Sequence, residues 1–179
     1  TGVISVSTAE EVIIRNGYVT PAAPTSASLA AITINTSAVR VTVDDVSIVC
    51  ADTATASIAG RNGIDSNGNY AQILNSTIKT GAGGSNGAGA GGNGGTGIAI
   101  SGSTGVSVLN CTIIQTGNGG DGSTTNGNGG TGITIASSCA NTYVRNCTIH
   151  NTGSAGAGAG AAGTAGYAIL DSVSTAANY

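Results

Sequence analysis

The sequence predicts an all-β solenoid, a single domain over residues 1–179 built from short strands that recur at fixed intervals. Three observations predict it. Helix formers are scarce: Glu, Lys, Leu, Met and Gln together supply nine residues, which excludes a helical bundle. Two independent short patterns recur in constant phase along the chain. Most of the 31 glycines gather between those patterns rather than within them.

The first pattern opens each unit. Its copies are Gly2-Val3-Ile4, Ala31-Ile32-Thr33-Ile34, Gly63-Ile64, Gly97-Ile98-Ala99-Ile100 and Gly132-Ile133-Thr134-Ile135. A last copy, Gly166-Tyr167-Ala168-Ile169, opens a unit that the sequence does not finish. The second pattern follows 12 to 14 residues later: Asn16-Gly17-Tyr18-Val19, Asp45-Val46-Ser47-Ile48, Asn75-Ser76-Thr77-Ile78, Asn110-Cys111-Thr112-Ile113 and Asn146-Cys147-Thr148-Ile149. The rungs expected are therefore approximately 2–30, 31–62, 63–95, 96–130 and 131–165, with a partial rung at 166–179.

Within a unit the reading is strand, short turn, strand, long excursion. Ile32/Ile34, Ile98/Ile100 and Ile133/Ile135 alternate with period two, as a half-buried strand does. Val41/Val43, Ala71/Ile73 and Val106/Val108 alternate likewise, and then the parity slips by one at the Asn. A bend there returns Cys111 and Ile113 to the inside. Asn tolerates the left-handed conformation that a sharp bend needs. Asn16, Asp45, Asn75, Asn110 and Asn146 are thus expected to stack as a structural ladder, with amides bonded along the stack.

These residues resemble the right-handed parallel β-helix, the pectate-lyase-like repeat fold. Val106 to Ile113 and Thr142 to Ile149 carry the resemblance, which spans almost the whole chain. It implies an all-β, right-handed parallel β-helix of about five rungs, with fibre-forming or adhesin-like members rather than enzymes as the expected kin. The fold hosts lyases, hydrolases, phage tailspikes and adhesins, so it does not by itself give function.

Three excursions are rich in glycine, starting with the run from Gly81 to Gly97, in which ten of seventeen residues are Gly. Residues 117–132 and 153–166 repeat the composition at the same phase. Equal lengths at equal phase predict arms stacked on one side of the solenoid, where backbones without side chains approach closely and satisfy one another. The GxGxxG-like spacing at Gly92–Gly97 does not read as a phosphate loop, because no helix follows and no Lys is present.

Only 7% of the chain is charged, against about 25% in an ordinary soluble domain. A basic nucleic-acid footprint is absent, and so is any apolar run long enough to span a membrane. The acids Glu10, Glu11, Asp44, Asp45, Asp52, Asp65, Asp121 and Asp171 form no column of neighbouring carboxylates, and the single His150 follows an inward Ile149. No catalytic, cofactor-binding or metal-binding residue is therefore assigned, and the chain is read as a non-enzyme. Thr148, Thr112, Thr77 and Ser47 form an outward column, but its mixed neighbours do not make an ice-binding face.

Cys111 and Cys147 fall in one inward column about 4.8 Å apart. That is within disulfide reach, but parallel side chains would strain a bridge, so buried free thiols are expected. Four N-x-S/T sequons occur, at Asn35, Asn75, Asn110 and Asn146. Three of them are ladder positions, which leaves Asn35 as the glycan acceptor.

Thr1 in place of Met, and a Lys-poor composition rich in Asn, Thr, Ser and Gly, suit a processed, secreted protein or a fragment at the cell surface. Solenoids need polar caps, and neither Val3-Ile4-Ser5-Val6 nor Tyr167-Ala168-Ile169-Leu170 reads as one. Val3, Ile4, Val6, Tyr167, Ile169 and Leu170 are therefore expected to be assembly ends, joining copies head-to-tail into a filament. The alternative expectation is a glycan-binding adhesin or phage-tail fragment.

Overall fold

In the computed structural model, residues 3–8, 10–26 and 30–172 are described. Gly2 and residues 173–179, assigned above to the first and the unfinished rung, lie outside them. All fourteen regular elements among the described residues are strands. They are β1 (Ile4–Val6), β2 (Ile13–Val19), β3 (Ile32–Ile34), β4 (Thr42–Val49), β5 (Ile64–Ser66), β6 (Gln72–Leu74) and β7 (Thr77–Lys79), then β8 (Ile98–Ile100), β9 (Ser107–Leu109), β10 (Thr112–Gln115), β11 (Ile133–Ile135), β12 (Tyr143–Arg145), β13 (Thr148–Ile149) and β14 (Ile169–Asp171).

Every pairing is parallel. The first sheet has six strands in the order β1-β3-β5-β8-β11-β14. Its register stacks Ile4, Ile32, Ile64, Ile98, Ile133 and Ile169 in one column. The second sheet divides at the long strand β4, whose first half pairs with β6 and whose second half pairs with β7. β9 and β12 continue one branch, β10 and β13 the other, and β2 pairs along β4 from the opposite side. The chain is thus a parallel β-solenoid of about four turns. The repeat pattern leads to about five rungs. The turn from β1 to β3 passes through residues 27–29, outside the described residues, whereas four turns run unbroken from Ile32 to Ile169.

The core is the inside of the coil. Ile32, Ile34, Ile64, Ile73, Ile78, Ile98, Ile113 and Ile133 have no exposed surface. Each such side chain contributes about 1.5–3 kcal/mol of burial. Strands of three residues suffice, because each is covered above and below by its repeats. Ser66 interrupts the column between Ile34 and Ile100, and its buried hydroxyl has no hydrogen-bond partner.

Two corners turn the chain between strands, and both use left-handed backbone. The corner at the parity slip has Asn16, Asp45, Asn75, Asn110 and Asn146 at φ between 48° and 56°. The other lies between the first sheet and the second. There Glu11, Arg40, Tyr70, Gly105 and Asn141 occupy equivalent positions at φ between 51° and 72°. Backbone bonds link them in order: Glu11 N to Val39 O, Arg40 N to Asn69 O, Tyr70 N to Thr104 O and Gly105 N to Ala140 O. Gly105 has a second reason to lack a side chain, since a Cβ there would lie 2.6 Å from the Tyr70 ring.

Candidate functional site

The glycine-rich excursions are ordered arms, each an outgoing and a returning limb. Their backbones bond in a zigzag that climbs the stack. Gly95 N donates to Gly81 O (3.0 Å), Gly117 N to Gly95 O (3.2 Å), Gly130 N to Gly117 O (2.7 Å), Gly153 N to Gly130 O (3.1 Å) and Gly166 N to Gly153 O (2.8 Å). A parallel zigzag, three residues further along each outgoing limb, runs through Gly84, Gly92, Gly120, Gly127 and Gly156. A three-residue period is that of the polyproline-II helix, which has no internal hydrogen bonds and must find partners outside itself. Here neighbouring limbs are those partners.

The glycines are required by proximity rather than by dihedral angle. Among the described residues only Gly102 and Gly105 are glycines with positive φ, and neither is in an arm. A Cβ built on Gly117 would meet Gly81 O at 1.8 Å, and one on Gly130 would meet Gly95 O at 2.0 Å. At such positions no other residue fits without separating the limbs.

The outer faces of the arms are covered by a second device. A side-chain oxygen of one rung accepts the backbone N–H of the next. On the outgoing limb Ala82 N donates to Asp52 Oδ1 (2.7 Å), Asp121 N to Ser85 Oγ (3.0 Å) and Ser154 N to Asn118 Oδ1 (3.0 Å). On the returning limb Asn128 N donates to Asn93 Oδ1 (2.9 Å) and Thr164 N to Asn128 Oδ1 (2.9 Å). At the root of each arm, Gly117 N donates to Thr80 Oγ1 (3.0 Å) and Gly153 N to Thr116 Oγ1 (2.7 Å), both threonines being buried.

A groove of about 360 Å³ runs along the returning limbs beside the first sheet. Asn93, Asn128 and Thr164 form one wall, Asn62, Thr96 and Thr131 the other, and Tyr167 and Leu170 lie at one end. No charged side chain lines it. Because the Asn93 and Asn128 carbonyl oxygens are taken by backbone N–H groups, their amide NH2 groups are left as the donors.

The ladder positions share a solvent-exposed edge of the solenoid. Asn110 Nδ2 donates to Asn75 Oδ1 (3.2 Å), and Asn75 Nδ2 donates in turn to Asp44 Oδ1 (2.8 Å). The step thus lands on Asp44, while the adjacent Asp45 holds the left-handed backbone position. Asn16 and Asn146 share the conformation. Asn35 is half-buried, and its Nδ2 donates to Ser5 Oγ (3.1 Å) and to Val6 O (3.2 Å).

All four cysteines are unbridged. Cys111 is buried and Cys147 half-buried, in adjacent rungs of the column that also holds Ser76. Each of the three donates back to the carbonyl two residues earlier: Ser76 Oγ to Leu74 O (2.7 Å), Cys111 Sγ to Leu109 O (3.4 Å) and Cys147 Sγ to Arg145 O (3.4 Å). The two neighbouring thiols are coupled: Cys111 lowers the Cys147 pKa, while Cys147 raises that of Cys111, which burial raises further. Burial pushes the Cys50 thiol up to about 12, against an opposing pull from Arg61. Burial also raises the Asp65 carboxyl, opposed by a hydrogen bond from Asn62 (2.9 Å).

At the two ends, the inward columns lose their cover. Ile4 and Ile14 at one end, and Cys147, Ile149 and Ile169 at the other, are half-buried where their counterparts inside the stack are fully buried. Val3 is 44% exposed, Tyr167 56% and Leu170 38%, while Val6 is buried. β1 and β14 are the outer strands of the first sheet, so the six end residues fall into two groups at opposite poles.

Glu10 and Glu11 face Arg40 across one rung at 3.8 and 3.2 Å, an exposed pairing. Among the described residues, no three His, Cys, Asp or Glu side chains converge as a metal site. Compared with known protein families, curated proteins and solved structures, the chain has no match.

Proposed function

We propose that this chain is a structural subunit of an extracellular or cell-surface filament, in which copies join head-to-tail by solenoid stacking. One observation carries the reading. The inward Ile columns, fully covered inside the stack, are half-exposed at both poles, each beside the outermost strand of the first sheet among the described residues. Parallel edge strands flanked by apolar side chains are templates for another copy. The two poles differ, so the contact is heterologous and propagates rather than closes. The non-enzymatic role, and the kinship with pectate-lyase-like β-helices, belong to the same proposal.

A dilution series followed by electron microscopy and light scattering tests it. Filaments are expected to appear above a threshold concentration, and Ile4→Asp or Ile169→Asp is expected to abolish them while the circular dichroism of the solenoid persists. Monomers at every concentration would refute the reading.

A second reading, glycan binding, is favoured by the groove beside the arms. Its walls are uncharged, its Asn amides offer donors in a row, and Tyr167 supplies a ring at one end. A neutral oligosaccharide is the ligand such walls suit. Calorimetry against neutral oligosaccharides, with Asn128→Ala as the variant, separates this reading from the first.

A further inference from the structure

We propose that Asn86-Gly87, at the tip of the first arm, is the chain's site of spontaneous deamidation, and that the stacked architecture shields its other Asn-Gly bonds. The sequence contains eight Asn-Gly pairs, starting at Asn16, Asn62, Asn67, Asn86, Asn93, Asn118, Asn126 and Asn128. This dipeptide is chemically fragile. The backbone nitrogen of the glycine, unhindered by a side chain, attacks the Asn side-chain carbonyl carbon. A cyclic imide forms, the amide nitrogen leaves as ammonia, and water opens the ring to aspartate or isoaspartate. The net change is one amide and one water converted to one carboxylate and one ammonium.

The attack needs the glycine N–H to be free. In five pairs it is engaged: Gly63 N donates to Thr96 O (2.9 Å), Gly94 N to Asn128 O (2.8 Å), Gly119 N to Ser154 O (2.9 Å), Gly127 N to Gly120 O (2.9 Å) and Gly129 N to Thr164 O (2.8 Å). Gly17 lies inside strand β2, opposite Val46 of β4. Gly68 is buried, and its Cα faces Ala38 O so closely that a Cβ would lie 2.6 Å from it.

Gly87 lies in neither a strand nor the core. It is exposed, its N–H has no partner among the described residues, and no atom lies within 4 Å of where its Cβ would be. The Asn86 side chain is also set up for the reaction. Its Oδ1 accepts Ala88 N (3.0 Å), which polarises the carbonyl and folds it over the intervening Gly87. Its Nδ2, the departing nitrogen, donates to Ser57 Oγ (2.7 Å). The new carboxylate would stand beside Asp121, whose backbone carbonyl accepts Asn86 N (2.7 Å), and would make the formal charge of −3 one unit more negative.

The test is to incubate the full chain at mildly alkaline pH and map deamidation by mass spectrometry, with isoaspartate detected enzymatically. Asn86 is expected to lead the other seven by about tenfold or more, since a bonded glycine amide must first open locally and each 1.4 kcal/mol of opening is about a factor of ten. In urea the eight rates are expected to converge. Gly87→Ala, which the open space and ordinary φ at that position accommodate, is expected to silence Asn86 without unfolding the chain. Equal rates in the folded protein, or faster reaction at an Asn of the returning limbs such as Asn93 or Asn128, would overturn the proposal.

Discussion

Replacing Gly117 by Ala is the sharpest test of the arms. Elsewhere such a change stabilises by about 0.4–1 kcal/mol, because it restricts the unfolded chain. At Gly117 the added carbon would sit 1.8 Å from Gly81 O, 2.5 Å from Gly81 C and 2.7 Å from Gly95 N, all of them backbone. No rotamer change relieves a clash with backbone, so the limbs must part by more than an ångström. Three hydrogen bonds converge there: Gly95 N to Gly81 O, Gly117 N to Gly95 O and Gly130 N to Gly117 O. Losing two of these buried bonds costs about 2–6 kcal/mol at about 1–3 kcal/mol per unsatisfied group. Urea unfolding followed by circular dichroism measures the change, with Gly87→Ala as the control at a position that meets no atom. Hydrogen exchange on residues 81–97 and 117–132 separates local peeling of the arms from global loss. If Gly117→Ala and Gly87→Ala behave alike in both measurements, the arms are not close-packed and the reasoning fails.

Three further outcomes follow from particular side chains. Ser66→Ala removes a buried hydroxyl that has no partner, and is expected to raise stability by about 1 kcal/mol in a thermal melt. Asp65 has its pKa raised by burial, so the folded state favours the protonated acid; its stabilising contribution is complete below the ordinary carboxylate pKa and is lost as pH rises through the raised value. Asp65→Asn is expected to flatten that part of the stability–pH curve while keeping the bond from Asn62, and an unchanged curve would count against it. Cys147, half-buried and with its pKa lowered by the neighbouring Cys111 thiol, is expected to be alkylated well before the buried Cys50, Cys111 and Cys139, which peptide mapping would reveal.

Much of the coil was legible because its signal is repetition. Ile-x-Ile at constant phase led to the first sheet, and the parity slip at Asn75, Asn110 and Asn146 led to the left-handed corner. The second corner was not legible. Glu11, Arg40, Tyr70, Gly105 and Asn141 share a backbone conformation but no chemistry, and only neighbours across the rungs hold them there. The groove was missed for a different reason. Its walls come from positions such as Asn93, Asn128 and Thr164, spaced 35 and 36 residues apart inside glycine-rich segments, where no alternation of apolar residues marks a face.

The molecule joins two materials with different physics. The coil interior is held by buried Ile and Val, a stabilisation that weakens on cooling because it rests on the release of water from apolar surface. The arms bury almost no apolar side chain and are held by backbone bonds in two directions, with side-chain oxygens closing the outer faces. Ordering them fixes backbone at about 1–2 kcal/mol per residue, yet glycine and alanine add no side-chain entropy to that. Their exposure on unfolding adds little heat capacity, so their stability declines with heat and gains nothing from warming out of the cold. Thr80 and Thr116, buried at the arm roots and bonded to the first glycine of the next arm, couple the two materials. An arm therefore cannot peel from its tip past its root without uncovering a buried hydroxyl, and it is this junction, rather than the glycine content alone, that makes the arms part of the fold.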